Sequence, residues 1–155
     1  MVSFTKGTHM DFIEYADGYK YQLLRNYYMS TYIIPNEYIR TDFIDLGIDG
    51  FLSIREGYAW DGPSGPTITI DTLNFMRGSL VHDAFYELMR EGYLNHNKYR
   101  LDIDTILKEI CIEDGMSSIR AWFVFKAVRI FGEPSANPKY KKPSIYAPRK
   151  PSIFK

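Results

Sequence analysis

This chain of 155 residues has a single cysteine, Cys111. No internal disulfide is possible, and a zinc site built on cysteines is excluded within one chain. A reducing compartment fits. No stretch of about 18 consecutive apolar residues, the length that spans a bilayer, occurs anywhere. The opening MVSFTKGTHMDFIEYADG also lacks the charged-then-apolar layout of a signal peptide. Neither secretion nor membrane insertion is expected.

Motifs for several chemistries are missing as well. There is no glycine-rich phosphate loop, no paired-histidine zinc motif, and no basic face interleaved with aromatics in the body of the chain. A metal phosphohydrolase of the His…His-Asp…Asp kind would need His9 on a helix, and TKGTHMDF is not helical in pattern. Net charge is zero, with 19 Lys/Arg against 19 Asp/Glu. That balance hides an asymmetry, because residues 133–155 hold six basic residues against one acid.

What is present is an ordinary globular composition, 45% hydrophobic and 25% charged, enough for one core. Thirteen tyrosines and ten phenylalanines add aromatic surface suited to a core and to contact with other protein. In the first seventy residues YKYQLL, YYMSTYII and GFLSIREGYAW read as strands bounded by turn residues, so a small antiparallel sheet is expected. Asp17-Gly18, Asp49-Gly50 and Asp61-Gly62 mark turns where glycine supplies positive φ.

From Asp71 or Thr72 the period changes to that of a helix through Met76, Leu80, Ala84 and Leu88, stopped at Gly92. Ile103, Ile106, Leu107, Ile110 and Cys111 form one apolar stripe of a second helix ended by Gly115. Ser117 or Ser118 caps a third, IRAWFVFKAVRIF, apolar around so much of its circumference that it is expected to be the most buried. The fold class is therefore α+β: an N-terminal antiparallel sheet, a three-helix C-terminal half and an extended proline-rich tail. One domain spans 1–132 and the tail 133–155.

The tail holds five of the eight prolines and repeats itself. Lys142-Pro-Ser-Ile145-Tyr146 returns eight residues on as Lys150-Pro-Ser-Ile153-Phe154. Composition alone describes a solubilising end. The repeated anchors also suit an arm that docks on its own acidic body or on a neighbour, with Lys142, Ile145, Tyr146, Lys150, Ile153 and Phe154 as contacts.

Chemistry concentrates in three places: Asp61 in GYAWDGPSGP, His82, Asp83 and Tyr86 in VHDAFYELMREGY, and Asp104 near the start of the second helix. A histidine can take a proton from water near neutral pH, and carboxylates can orient it or bind a hard cation such as calcium. His82, Tyr86 and Asp104 are the candidate catalytic residues, Asp83 and Asp61 the candidate calcium ligands. Each has a plainer reading. His82 can be a hydrogen-bonded core histidine, Asp83 a favourable charge on its helix, Asp102 or Asp104 a helix cap, and Asp61 a turn former. Cys111, on the apolar stripe, reads as core.

The order GYAWDGPSGP, HDAFY, YRLDID, FKAVRIFG resembles a family of short phage and prophage proteins grouped as a domain of unknown function. The matching positions are Asp61, Gly62, Ser64 and Pro66, then His82, Asp83 and Tyr86, then Arg100 and Asp104, then Ala127, Val128, Arg129 and Gly132. The resemblance covers residues 50 to 132 and implies a viral origin and a place in or near the particle. The His-Asp-x-x-Tyr helix followed by a helix bearing an aspartate is also similar to the calcium-dependent secreted phospholipases, above all the prokaryotic ones. That similarity implies His82 as base, Asp83 on calcium and Asp104 orienting His82, although those enzymes rely on disulfides this chain cannot form.

Two functions follow as expectations. One is a phage virion-associated structural or assembly protein, located in the virion or host cytoplasm, whose arm contacts other phage proteins or copies of itself. The other is a calcium-dependent, phospholipase-like hydrolase.

Overall fold

The computed structural model describes residues 10–16, 20–62 and 73–143. Two small antiparallel sheets come first and helices follow, so the α+β expectation holds. Strands β1 (Tyr15–Ala16), β2 (Tyr21–Leu23) and β7 (Ala59–Trp60) form one sheet in the order β1-β2-β7. Strands β3 (Tyr27–Ser30), β4 (Ile39–Arg40), β5 (Ile44–Leu46) and β6 (Phe51–Ile54) form the other in the order β3-β6-β5-β4. The sequence pattern called for one sheet.

Alternation sets the register of the larger sheet. Tyr27 and Met29 point inward and Tyr28 outward, and Met29 pairs with Leu52, which pairs with Leu46. These side chains are buried, and a one-residue slip would turn the whole row to solvent. The β5–β6 connection turns on Gly50 at φ +81°, where an added Cβ would lie 2.2 Å from the Thr31 carbonyl oxygen. Only glycine fits both that φ and that approach.

Helix α1 (Leu73–Arg90) is the centre of the molecule, with thirteen of its eighteen residues buried. Its inward residues share one core with both sheets and with Ile103, Ile106 and Ile110 of α2 (His96–Glu113). All five residues of the α2 stripe are buried. Asn95, not Asp102 or Asp104, caps α2, its side chain accepting from the Asn97 and Lys98 amides. Asp104 is thereby moved from a helix end into the third turn, fully buried, where a carboxylate has to be paired.

Helix α3 (Ser118–Phe131) begins at the Ser117 cap but is not the most buried helix. Only Ala121 and Val124 are buried, while Ile119, Trp122, Phe123, Ile130 and Phe131 are exposed. The reason is one of layers. α3 packs on α2 and on the short segment after it, and among the described elements no third layer covers its outer side.

The described part of the tail, residues 133–143, departs from the extended form the sequence suggested. Glu133–Ala136 makes one helical turn, α4, and Pro138–Tyr140 a 3-10 turn, each with proline in its first turn. Proline is pre-shaped for that position. Ala136 is fully buried, Arg90 donates to the Ser135 carbonyl, and Lys141 pairs with Glu91, so this stretch lies back along α1. Among the described residues no helix is long and apolar enough to cross a membrane.

Candidate functional site

Asp104 is the hub. Its Oδ1 accepts from Tyr86 Oη at 2.7 Å and lies 2.8 Å from His82 Nε2, and its Oδ2 accepts from Arg129 Nη1 at 2.8 Å. His82 and Tyr86 stand one turn apart on α1, with ring centroids 3.9 Å apart, so both reach the same carboxylate on α2. The close packing of α1 on α2 has a local cause. Gly78 presents no side chain, and a Cβ there would come within 2.9 Å of Leu107 Cδ1.

Arg100 completes the cluster. It donates to Tyr86 Oη at 3.1 Å and to the Val128 and Arg129 carbonyls at 2.8 Å each, fastening the C-terminal end of α3 over the hub. Gly132 makes room there, since a Cβ on it would stand 2.8 Å from Tyr86 Oη and 2.5 Å from the Val128 oxygen.

The electrostatics follow from burial and pairing. Burial alone would raise the Asp104 carboxyl, but the bonds from His82, Tyr86 and Arg129 outweigh it and hold it below the usual carboxylate range. Asp104 is therefore ionised and can only accept. Nε2 of His82 must then carry the hydrogen, which in the neutral ring leaves the lone pair on Nδ1. Burial alone would lower His82, yet Asp104 and Asp83 together raise it above its ordinary value. Burial, with Asp104 adding to it, raises the Tyr86 phenol, which stays protonated and donating.

His82 and Asp83 line a cavity of about 320 Å³ bounded by β7, α1 and the end of α3. Nδ1 of His82 is 3.9 Å from Asp83 Oδ1, too long for a direct hydrogen bond but within ion-pair range of a protonated ring. Two contacts shape the walls: Trp60 Nε1 donates to Ser79 Oγ at 3.0 Å, and Tyr58 Oη donates to Glu87 at 3.0 Å. Phe131 and Val128 add apolar surface.

The predicted residues come together in part. His82, Tyr86 and Asp104 meet directly, Asp83 stands beside them, and Asp61 lies on the cavity wall in an exposed ion pair with Lys20 at 3.0 Å. Ser64 and Pro66 of that loop, His9, and the arm residues Ile145, Tyr146, Lys150, Ile153 and Phe154 lie outside the described residues; Lys142 is exposed. Arg129 as a partner of Asp104 was not foreseen, nor were Tyr58, Trp60 and Glu87 as cavity walls.

Calcium suits the donor types, because Asp83 and Asp61 offer hard carboxylate oxygens. Burial pushes Asp83 above the usual carboxylate range, His82 offsets this only in part, and the neighbouring carboxylate of Asp61 adds to it, the electrostatic situation that a bound cation would relieve. Among the described residues no group of three or more His, Cys, Asp and Glu side chains is gathered for a metal. The rest of a shell of about six to eight oxygens would be backbone carbonyls and water.

Four separated segments of sequence thus converge on one cluster and its cavity. No family model, curated protein or solved structure matches the chain.

Proposed function

We propose that the chain is an ester hydrolase of the phospholipase-like kind, with His82 as general base. One observation carries the reading: an ionised, buried Asp104 holds Nε2–H of His82 and so directs the Nδ1 lone pair at the cavity. In the reaction, His82 Nδ1 takes a proton from a water molecule beside Asp83, and the oxygen adds to the acyl carbon. The ester C–O bond then breaks as the imidazolium returns the proton to the leaving alkoxide. Asp104 stays ionised throughout and stabilises the imidazolium, with Tyr86 and Arg129 fixing its carboxylate. Bound calcium, held by Asp83 and Asp61 with carbonyl oxygens, would supply polarisation of the acyl oxygen. The apolar wall from Val128 and Phe131 suits an acyl chain.

The test is fatty-acid release from phosphatidylglycerol vesicles, with calcium or with chelator, by the wild type and by His82→Ala. Turnover that needs calcium and falls at least a hundredfold in the variant supports the reading (about 10²–10⁴ for a positioned base). No release by wild type on phospholipid or on short-chain esters sinks it, and leaves the cluster as a structural tie between α1, α2 and α3.

A second reading, a component of a phage particle or of its assembly, is supported by the apolar side chains bared on α3 and by the repeated anchors after Lys142. Deleting residues 144–155 separates the two. The hydrolase keeps turnover, whereas the assembly protein loses its partner.

A further inference from the structure

The charge asymmetry is sharper than the tail alone suggests. Residues 1–114 hold ten Lys/Arg and 18 Asp/Glu, a net of −8, and residues 115–155 hold nine and one, a net of +8. The boundary falls just before α3. Every charge on α3 is positive, namely Arg120, Lys126 and Arg129, of which Arg129 is bonded to Asp104. Its outer stripe, Ile119, Trp122, Phe123 and Ile130, follows helical spacing and is 47% to 74% exposed. A bared apolar stripe of this kind marks an interaction site.

A counterpart lies elsewhere on the same chain. At the tip of the larger sheet Ile34, Tyr38 and Ile48 are 47%, 56% and 65% exposed. They are neighbours: Ile34 Cδ1 approaches Gly50 in the β5–β6 turn, and Tyr38 immediately precedes the Ile39–Leu46 pair of β4 and β5. Glu37, next to Tyr38, and Asp49, next to Ile48, are exposed beside them, and Arg40 is an exposed cation two residues on from Tyr38. The tip is fastened to α2 through Tyr99, which donates to the Ile34 carbonyl, and Tyr32, which donates to Glu109. Arg100 and Asp104 of α2 instead hold α3. The two patches thus lie on different sides of α2.

We infer that α3 of one copy docks on the acidic sheet tip of a second copy, head to tail. The occupant follows from charge and shape together, a basic apolar ridge against an acidic apolar tip. An anionic lipid surface would satisfy α3 and leave the tip bare. A two-fold α3–α3 contact would likewise leave the tip bare. Because the contact is heterologous, each added copy exposes a fresh α3 and a fresh tip, giving a ring or a filament. The stripe buries on the order of 400–500 Å² per copy, below the roughly 800 Å² of a standard interface, so association is weak and salt-sensitive. This inference is independent of the His82 chemistry, and either can fail without the other.

Sedimentation velocity of the full chain at low and high salt tests it, with Trp122→Glu plus Phe123→Glu as a ridge variant and Tyr38→Lys plus Ile48→Lys as a tip variant. Wild type is expected to form species beyond a dimer at low salt and to revert to monomer at high salt. Each variant alone is expected to stay monomeric, and their equimolar mixture to give a single heterodimer and nothing larger. A wild type that stays monomeric at low salt overturns the inference, as does a ridge or tip variant that assembles unaided. Vesicle binding lost in the ridge variant of a monomeric wild type would assign the ridge to lipid instead. Cross-linking guards against misfolded variants: Ile130→Cys mixed with Ile48→Cys should be joined by a short bis-maleimide, and neither alone. The reverse pattern overturns the head-to-tail geometry. The native Cys111 is fully buried and does not interfere.

Discussion

His82 Nε2 lies 2.8 Å from Asp104 Oδ1, and that contact ties the middle of α1 to the middle of α2. It also sets two properties in opposition. The charged imidazole is the form that Asp104 and Asp83 stabilise, whereas the neutral imidazole is the form that can act as a base.

The opposition gives a pH prediction. His82 has a folded pKa raised above its ordinary value near 6.5. Its contribution to stability is therefore full below about 6.5 and is lost as pH rises through the folded value. Turnover should rise over that same interval. In calcium-free buffer, NMR titration of the His82 ring protons should give a midpoint above the ordinary histidine value. The melting-temperature gap between wild type and His82→Ala should narrow toward alkaline pH. A midpoint below 6.5 contradicts the pairing.

Asp104→Asn addresses orientation. The amide cannot hold Arg129 by charge, and its NH₂ can turn toward His82 and reverse the tautomer. Turnover should drop by about 10²-fold or more. Stability should fall by about 3 kcal/mol, since removing one partner strands the others inside. Because Asp104 has its pKa lowered by its partners, the wild-type advantage is present above about pH 4 and is lost as pH falls through the folded value. Urea midpoints of both proteins at pH 7 and pH 3 check the sign.

Much of this arrangement was legible because it is local. Tyr86 one turn after His82, the α2 stripe ended at Gly115, and the Ser117 cap all depend on residues within a few positions of each other. Asp104 was legible as a partner but not as a mid-helix residue, because Asn95 was not weighed as the cap against Asp102. The exposure of α3 was not legible, since apolarity tells how much surface is costly to wet and not which layer covers it. Helical turns as short as Glu133–Ala136 have no period to detect, and Arg129 reaches Asp104 across 25 positions, a distance no spacing rule bridges.

Gly132→Ala should be disproportionately harmful for a partly exposed position. The added methyl meets Val128 O and Tyr86 Oη well inside normal contact, and backbone cannot swing away as a side-chain end can. A loss of about 1–3 kcal/mol is expected, with weakened turnover from a displaced Tyr86. If the variant melts as wild type does, α3 is not seated where the hydrogen bonds place it.

Arg77 is a separate anchor and supplies the control. It is 2% exposed on α1 and pairs with Asp114 at 2.6 Å and Glu113 at 2.7 Å, beyond the end of α2 and in its last residue. It also donates to the Met10 carbonyl at 2.8 Å, holding the start of the described chain. Arg77→Leu preserves apolar bulk but strands two acids, of which Asp114 is mostly buried and Glu113 partly exposed. The expected cost is about 2–4 kcal/mol, less than for a wholly buried triad because Glu113 can reach water. Turnover per folded molecule should be unchanged, because the carboxylates that hold Arg77 lie at the C-terminal end of α2, away from Asp104 in its third turn. A variant that keeps its denaturation midpoint but loses turnover would reverse that division, and would mean that the α1–α2 spacing at His82 is set from this end of the helices.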